Sequence, residues 1–160
     1  MSVSHPTFSY LKPRLCAKPG TMPKGLVIDS NILVRAALGN RVRAILEQFR
    51  DRATFSAPSV CRSDARRRIP EICRKNDLEQ NIALGFLNDV EKVVRFPELT
   101  YYGFRERDAR ERIQARDPDD WPVIATALAL DLPIWTEDRD FFGCGVATWI
   151  TNTVEIYLRG

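Results

Sequence analysis

Short apolar runs alternate along this chain with stretches whose apolar residues recur at helical spacing, and that alternation constrains the fold more than any other feature. Residues 26–29, Leu-Val-Ile-Asp, suit a short strand buried on both faces. Residues 32–38 follow with helical spacing, Gly39-Asn40 punctuates them, and Val42, Ile45, Leu46 and Phe49 mark a second helical stretch. Residues 54–57 read as the next strand. Pro58 can start a helix that runs to about residue 75 despite Pro70. Residues 78–93, with apolar Leu78, Ile82, Leu84, Phe86, Leu87, Val90 and Val93, read as a core-facing helix. Residues 96–102 are expected to form a short strand with a proline at its edge, and the densely charged residues 105–116 a helix. Residues 123–130 give a strong helix signal, 133–136 a buried strand, 146–149 a last strand and 152–158 a last helix. Strands alternating with helices through short connections predict an α/β fold with a mainly parallel sheet covered by helices.

At 160 residues and 44% hydrophobic, the chain can bury a core but leaves little room for a second domain. Residues 1–24 carry Pro6, Pro13, Pro19 and Pro23, several Ser and Thr and no acid, so they are expected to be a flexible arm preceding one domain at 25–160; Met22 could be the natural start. No apolar run approaches the ~20 residues of a membrane span, and the N-terminus has no signal-peptide core, so a soluble, cytoplasmic protein is expected. Cys16, Cys61, Cys73 and Cys144 form no C-x-x-C pair and the one histidine is His5, which argues against structural zinc, a disulfide framework and histidine-dependent triads. The net charge is only +3, but 19 Arg stand against 5 Lys. That bias fits phosphate contacts and base stacking equally as well as it fits a coding bias.

Ligands of open parallel sheets bind beyond the carboxyl ends of the strands. Asp29 and Asp138 sit where their strands should end, Asp120 opens the helix at 123–130, and Asp64 follows Pro58 by six residues. Each has an innocent alternative: Asp29 and Asp120 could cap helices, Asp138 and Asp140 could belong to a turn, and Asp64 could be a solvated helix residue. Taken together at one sheet edge, they favour a site. Two unit charges about 4 Å apart repel by about 4 kcal/mol at an effective dielectric near 20, so such a cluster calls for a proton or a cation. Mg2+ or Mn2+ suits hard carboxylate oxygens, and a cation held there would serve phosphodiester hydrolysis.

Three segments carry a resemblance. Gly25-Leu-Val-Ile-Asp29-Ser-Asn31-Ile-Leu resembles the opening strand and first acid of PIN-domain nucleases, Asp120-Trp-Pro-Val-Ile-Ala-Thr-Ala-Leu their third acidic motif, and Trp135-Thr136-Glu-Asp138-Arg-Asp140-Phe141 their fourth. The resemblance covers residues 26–151 and is similar in kind to VapC-type toxins of bacterial toxin–antitoxin pairs. It implies a three-layer α/β/α sandwich and cleavage of single-stranded RNA with Mg2+ or Mn2+. It also implies metal-site roles for Asp29, Asp120 and Asp138, with Asp140 ligating or orienting and Asn31 and Thr136 hydrogen-bonding behind them. A small antitoxin partner and a homodimer are implied as well. The departure is at the second acid, where the family pattern usually has Glu and this chain has the shorter Asp64. An alternative expectation is therefore a catalytically impaired PIN-like RNA-binding or interaction module. A dehalogenase-type phosphatase would want an acid where Asn31 stands, and no phosphate-cradling Gly-rich loop occurs.

Arg62, Arg66, Arg67 and Arg68 surround Asp64, and five arginines crowd residues 105–116 among acids at salt-bridging spacing. Most read as solvated helix faces. Arg66 and Arg116 are the candidates for RNA phosphate contacts, and Trp121, beside Asp120, is the candidate for base stacking. Trp135 and Trp149 read as core.

Overall fold

Five short parallel strands in the order β3-β2-β1-β4-β5 form the centre of the molecule. The computed structural model describes residues 23–160. In chain order the elements are β1 (Lys24–Ile28), α1 (Ser30–Leu38), α2 (Arg41–Phe49), β2 (Ala53–Ser56), α3 (Ser59–Lys75), α4 (Gln80–Glu91), β3 (Val94–Arg95) and α5 (Leu99–Tyr102). They continue with α6 (Glu106–Ile113), α7 (Trp121–Leu130), β4 (Ile134–Trp135), β5 (Thr148–Trp149) and α8 (Val154–Arg159). The expected arm falls mostly on residues 1–22, outside the described residues. Lys24, assigned to that arm from sequence, already pairs with Ala53 in the sheet, and its ammonium donates to the Tyr157 carbonyl.

The central strand β1 is buried along Leu26, Val27 and Ile28, which explains its unbroken apolar run. Gly25 lets its neighbours close on the strand: a Cβ would lie 2.7 Å from Thr54 Oγ1 and 2.8 Å from a Leu132 methyl, so those side chains would have to move. Helices α1 to α4 pack on one another and α5 to α7 form a second group, with α7 against β1 and β4, giving a three-layer α/β/α sandwich. The chain steps outward from β1 through β2 to β3, then returns to place β4 on the other side of β1. The strand order therefore reverses between β1 and β4, and a crevice opens beyond their carboxyl ends.

Two local expectations are corrected. The strand expected at 96–102 is confined to Val94–Arg95; Pro97 follows without an N–H, and residues 99–102 turn into α5. Burial of Tyr102, 1% exposed, against α7 outweighs the strand preference of Thr-Tyr-Tyr. The core face of α4 is Ala83, Leu87 and Val90, whereas Leu78 and Ile82 are 49% and 59% exposed. Cys61, Cys73 and Cys144 are buried and free. Among the described residues no helix is long and apolar enough to cross a membrane.

Candidate metal centre

Asp29 follows the last residue of β1 and is 3% exposed. One carboxylate oxygen caps α1 by accepting from the Ile32 amide at 2.9 Å, and the other accepts from the Thr136 hydroxyl at 2.5 Å. Thr136, just past β4 and fully buried, also accepts from the Asp138 amide at 2.9 Å. One hydroxyl thus ties the ends of the two strands that flank the switch point. Asp138 in turn accepts from the Asp140 amide at 2.9 Å, closing the turn that carries both acids. Capping and site membership are not exclusive here, because Asp29 and Asp138 serve as local caps while standing at the crevice.

Asp120 differs. It occupies the cap position of α7, but its side chain makes no capping bond, and its Oδ2 is buried with no hydrogen-bond partner among the described residues. Burial, followed by the negative charges of Asp117, Asp138, Asp29 and Asp140, pushes its carboxyl up to about 7. Burial likewise raises Asp29 to about 6, with Asp138 adding to the rise and the bonds from Thr136 and Ile32 and the charge of Arg68 opposing it. These five acids therefore share a field, and two of them, Asp29 and Asp120, are held away from comfortable ionisation. Asp117 is a local turn residue whose side chain accepts from the Asp119 amide.

Asp64 has a different environment. Burial works against its charge, but hydrogen bonds from Ser30, Arg67 and Arg68 outweigh it and hold the carboxyl below the usual range. Arg67 contacts one oxygen at 2.5 Å and Arg68 the other at 3.3 Å. Arg68 also donates to Asn31 Oδ1 at 2.9 Å, so Asn31 faces an arginine. The neighbouring Cys61 thiol is raised well beyond its ordinary range, by burial first and then by Asp29, which keeps it a thiol.

The three nucleic-acid candidates are all engaged within the protein. Arg66 forms a fork onto Glu91 at 2.8 and 2.6 Å and reaches Asn88 at 2.7 Å, so it braces α3 against α4. The helix phase accounts for this: Arg66 lies about 200° around α3 from Asp64, whereas Arg68 lies about 40° away. Arg116 donates to the carbonyls of Arg139 and Asp140 at 2.8 and 3.1 Å, pinning the acidic turn from behind. Trp121 is partly buried against Tyr102, with the Arg110 guanidinium 4.9 Å from its ring centroid. Arg68, which the sequence places among the arginines of a solvated helix face, lies instead against Asn31 and Asp64, at an i,i+4 spacing from Asp64 that the sequence shows; nothing local in the sequence singles out Arg35. The long-range contact to Asn31 is not legible there either.

The donor set fits a hard divalent cation: carboxylate oxygens with no His among the described residues and with Cys61 kept a thiol, an orphaned buried oxygen on Asp120, and mutual repulsion that a cation would relieve. Among the described residues no three Asp, Glu, His or Cys side chains are gathered to grip one ion. The three or four carboxylates expected around one ion are thus not drawn together as direct ligands, and a magnesium-like ion here would need waters and substrate phosphate to complete its shell.

Comparison with known proteins places this geometry in a family. The PIN domain model matches residues 27–159. The fold is similar to VapBC2 from Rickettsia felis bound to a DNA fragment from its promoter, at a TM-score of 0.62 and 12% identity over 79% of this chain and 98% of that one. It is also similar to PAE2754 from Pyrobaculum aerophilum, at 0.65 and 17% over 92% and 98%, and to a toxin–antitoxin complex from Klebsiella pneumoniae, at 0.54 and 17% over 79% and 97%. No curated protein matches the sequence. PIN domains are in general metal-dependent nucleases, and this chain, matched by their model from the first strand to the last helix, belongs to the PIN domain family.

Proposed function

We propose that the protein is a Mg2+- or Mn2+-dependent endoribonuclease that cleaves single-stranded RNA, and that it is the toxin of a toxin–antitoxin pair. The observation that carries the nuclease reading is the buried, unpartnered Oδ2 of Asp120 within the shared field of Asp29, Asp138 and Asp140. A carboxylate in that setting costs stability unless it is protonated or meets a cation. Asp29, Asp120 and Asp138 would hold the cation, one or two of them directly and the rest through its waters, with Asp140 ligating it or orienting the turn. When bound, it supplies Lewis acidity toward the phosphodiester and a water nucleophile near neutral pH.

The chain's own residues set the conditions for that chemistry. Thr136 fixes the Asp29 carboxylate by donating to Oδ2, and its acceptance from the Asp138 amide locks the direction of that donation. Ile32 holds the other Asp29 oxygen, so the side chain has little rotational freedom. Arg116 steadies the turn bearing Asp138 and Asp140 through two carbonyls. Pre-set carboxylates avoid reorganisation when the phosphate arrives.

The toxin role, with a small antitoxin and a homodimer as partners, is supported by the fold shared with a Klebsiella pneumoniae toxin–antitoxin complex. A second reading, an RNA-binding module with impaired catalysis, is favoured by one observation: Asp64 is neutralised by two arginines. Cleavage of a labelled single-stranded RNA pool with Mn2+, Mg2+ or EDTA separates the two. Metal-dependent cutting that vanishes in Asp29→Asn supports the nuclease. RNA binding by a folded, antitoxin-free wild type that never cuts diverse RNAs supports the module.

A further inference from the structure

Beside the acidic edge lies an open cleft of about 440 Å³, lined by Asn31, Val34, Arg35, Arg68, Glu137 and Asp138. Asp138 belongs to both, so whatever occupies the cleft is adjacent to the candidate metal centre. The cleft's two cations come from helices that pack together, Arg35 from α1 and Arg68 from α3. Asn31 and Arg35 are four residues apart, as are Asp64 and Arg68, so each pair shares a helix face. The Arg68 guanidinium is held by Asn31 and Asp64, and both bonds use Nη1. A guanidinium has five N–H donors, so these bonds set its plane and leave three N–H groups on Nε and Nη2 outside the pair.

Arg35 is exposed and makes no ion pair among the described residues. That separates it from Arg62 and Arg66, which are turned to Glu91, and from Arg107, Arg110 and Arg112 on α6, each paired to an acid one turn away. At the rim of the acidic edge the cleft therefore presents one arginine without an ion pair, Arg35, beside one held by Asp64 on a single nitrogen, Arg68. A polyanion is the ligand class that needs both. One phosphate would meet the carboxylates through a cation, and the next would meet a planar, pre-oriented cation fork.

We infer that Arg35 and Arg68 form a subsite for the RNA phosphate flanking the scissile bond, and that Asp64 is a positioning residue for Arg68 rather than a cation ligand. The inference rests on the nuclease reading of the acidic edge. It gives the shortened second acid a use: with Asp in place of the longer Glu, the carboxylate stays on its own helix and orients a phosphate-binding group.

The test is fluorescence anisotropy of a labelled single-stranded RNA oligonucleotide in EDTA across a salt series, with Mn2+ calorimetry on the same proteins. Arg35→Ala and Arg68→Ala should each weaken RNA binding about 5- to 10-fold and lower the slope of log affinity against log salt by about 0.7, the value for one phosphate contact on a single strand. Arg68→Lys, which keeps the charge but not the fork, should fall between wild type and Arg68→Ala. Asp64→Asn should weaken RNA about 3-fold while leaving Mn2+ binding at the wild-type level. Wild-type RNA affinity and salt slope in folded Arg35→Ala and Arg68→Ala would overturn the subsite, and loss of Mn2+ binding in Asp64→Asn would overturn the positioning role. Failure of the nuclease reading is seen separately: wild type would show the arginine-dependent salt slope yet never cut RNA with Mn2+.

Discussion

Asp64 on α3 and Asp120 ahead of α7 both act on the buried Cys61 thiol, so they are neighbours of one site, but the fold treats them in opposite ways. Asp64 is wrapped by Ser30, Arg67 and Arg68 and held below the usual carboxylate range. Asp120 has a buried oxygen with no partner and a carboxyl raised to about 7. A fold that can neutralise an acid so thoroughly on α3 leaves the sheet edge under repulsion. On the proposed reading the cation belongs beside the unpartnered Asp120 oxygen and not beside Asp64, whose charge is already met by arginines.

The largest expected effects come from removing the two acids whose carboxyls burial raises. Asp29→Asn and Asp120→Asn should each lower metal-dependent RNA cleavage by about 10²-fold or more, read as kcat/KM on a fixed oligonucleotide. If Asp64→Asn were equally damaging to cleavage and to Mn2+ affinity, the contrast between the two acids would collapse.

Next in size is a pH effect on the metal-free protein. The folded pKa of Asp29, about 6, lies above its ordinary 3.8, so the folded state binds the extra proton between these values. The contribution from this group is fully present below about pH 4 and is lost as pH rises through 6, a loss on the order of 3 kcal/mol for a fully buried carboxyl. Asp120 acts in the same direction up to about pH 7, while Asp64, with its depressed carboxyl, opposes it only at the acid end. Urea denaturation in EDTA should therefore show a steeper fall in stability from pH 5 to 7.5 for wild type than for Asp120→Asn. Added Mn2+ should restore more stability at pH 7.5 than at pH 5.5.

Smaller effects sharpen the same comparison. Thr136→Val keeps the side-chain shape but strips the donor from Asp29 Oδ2 and the acceptor from the Asp138 amide, at an expected cost of about 1–3 kcal/mol in denaturation midpoint experiments. Glu106→Ala, which breaks one exposed pair with Arg110, should change stability by no more than about 0.5 kcal/mol.

Much of the sheet edge was legible in the sequence because both its strands are apolar runs ending in or near an acid. Leu26, Val27 and Ile28 suit a buried strand, and Ile134 and Trp135 repeat that logic, so Asp29, Thr136 and Asp138 fall together once parallel order is assumed. The helix-borne groups were less legible because their direction depends on phase and on long-range partners. Arg66 and Arg68 are equivalent as letters, yet one braces Glu91 and the other enters the cleft through Asn31, 37 residues earlier in the chain. The same limit produced the misplaced strand at 96–102, where burial of Tyr102 decides the local structure and no neighbouring residue reports it.

Calorimetric titration of Mn2+ into the protein without RNA at pH 7.5, wild type against Asp120→Asn, tests the central claim most directly. Wild type should bind the ion and release protons from the raised carboxyls, and Asp120→Asn, though folded and more stable without metal, should bind at least tenfold more weakly with less proton release. Equal Mn2+ affinity and equal proton release in the two proteins would contradict the assignment of the unpartnered Asp120 carboxylate to a metal centre.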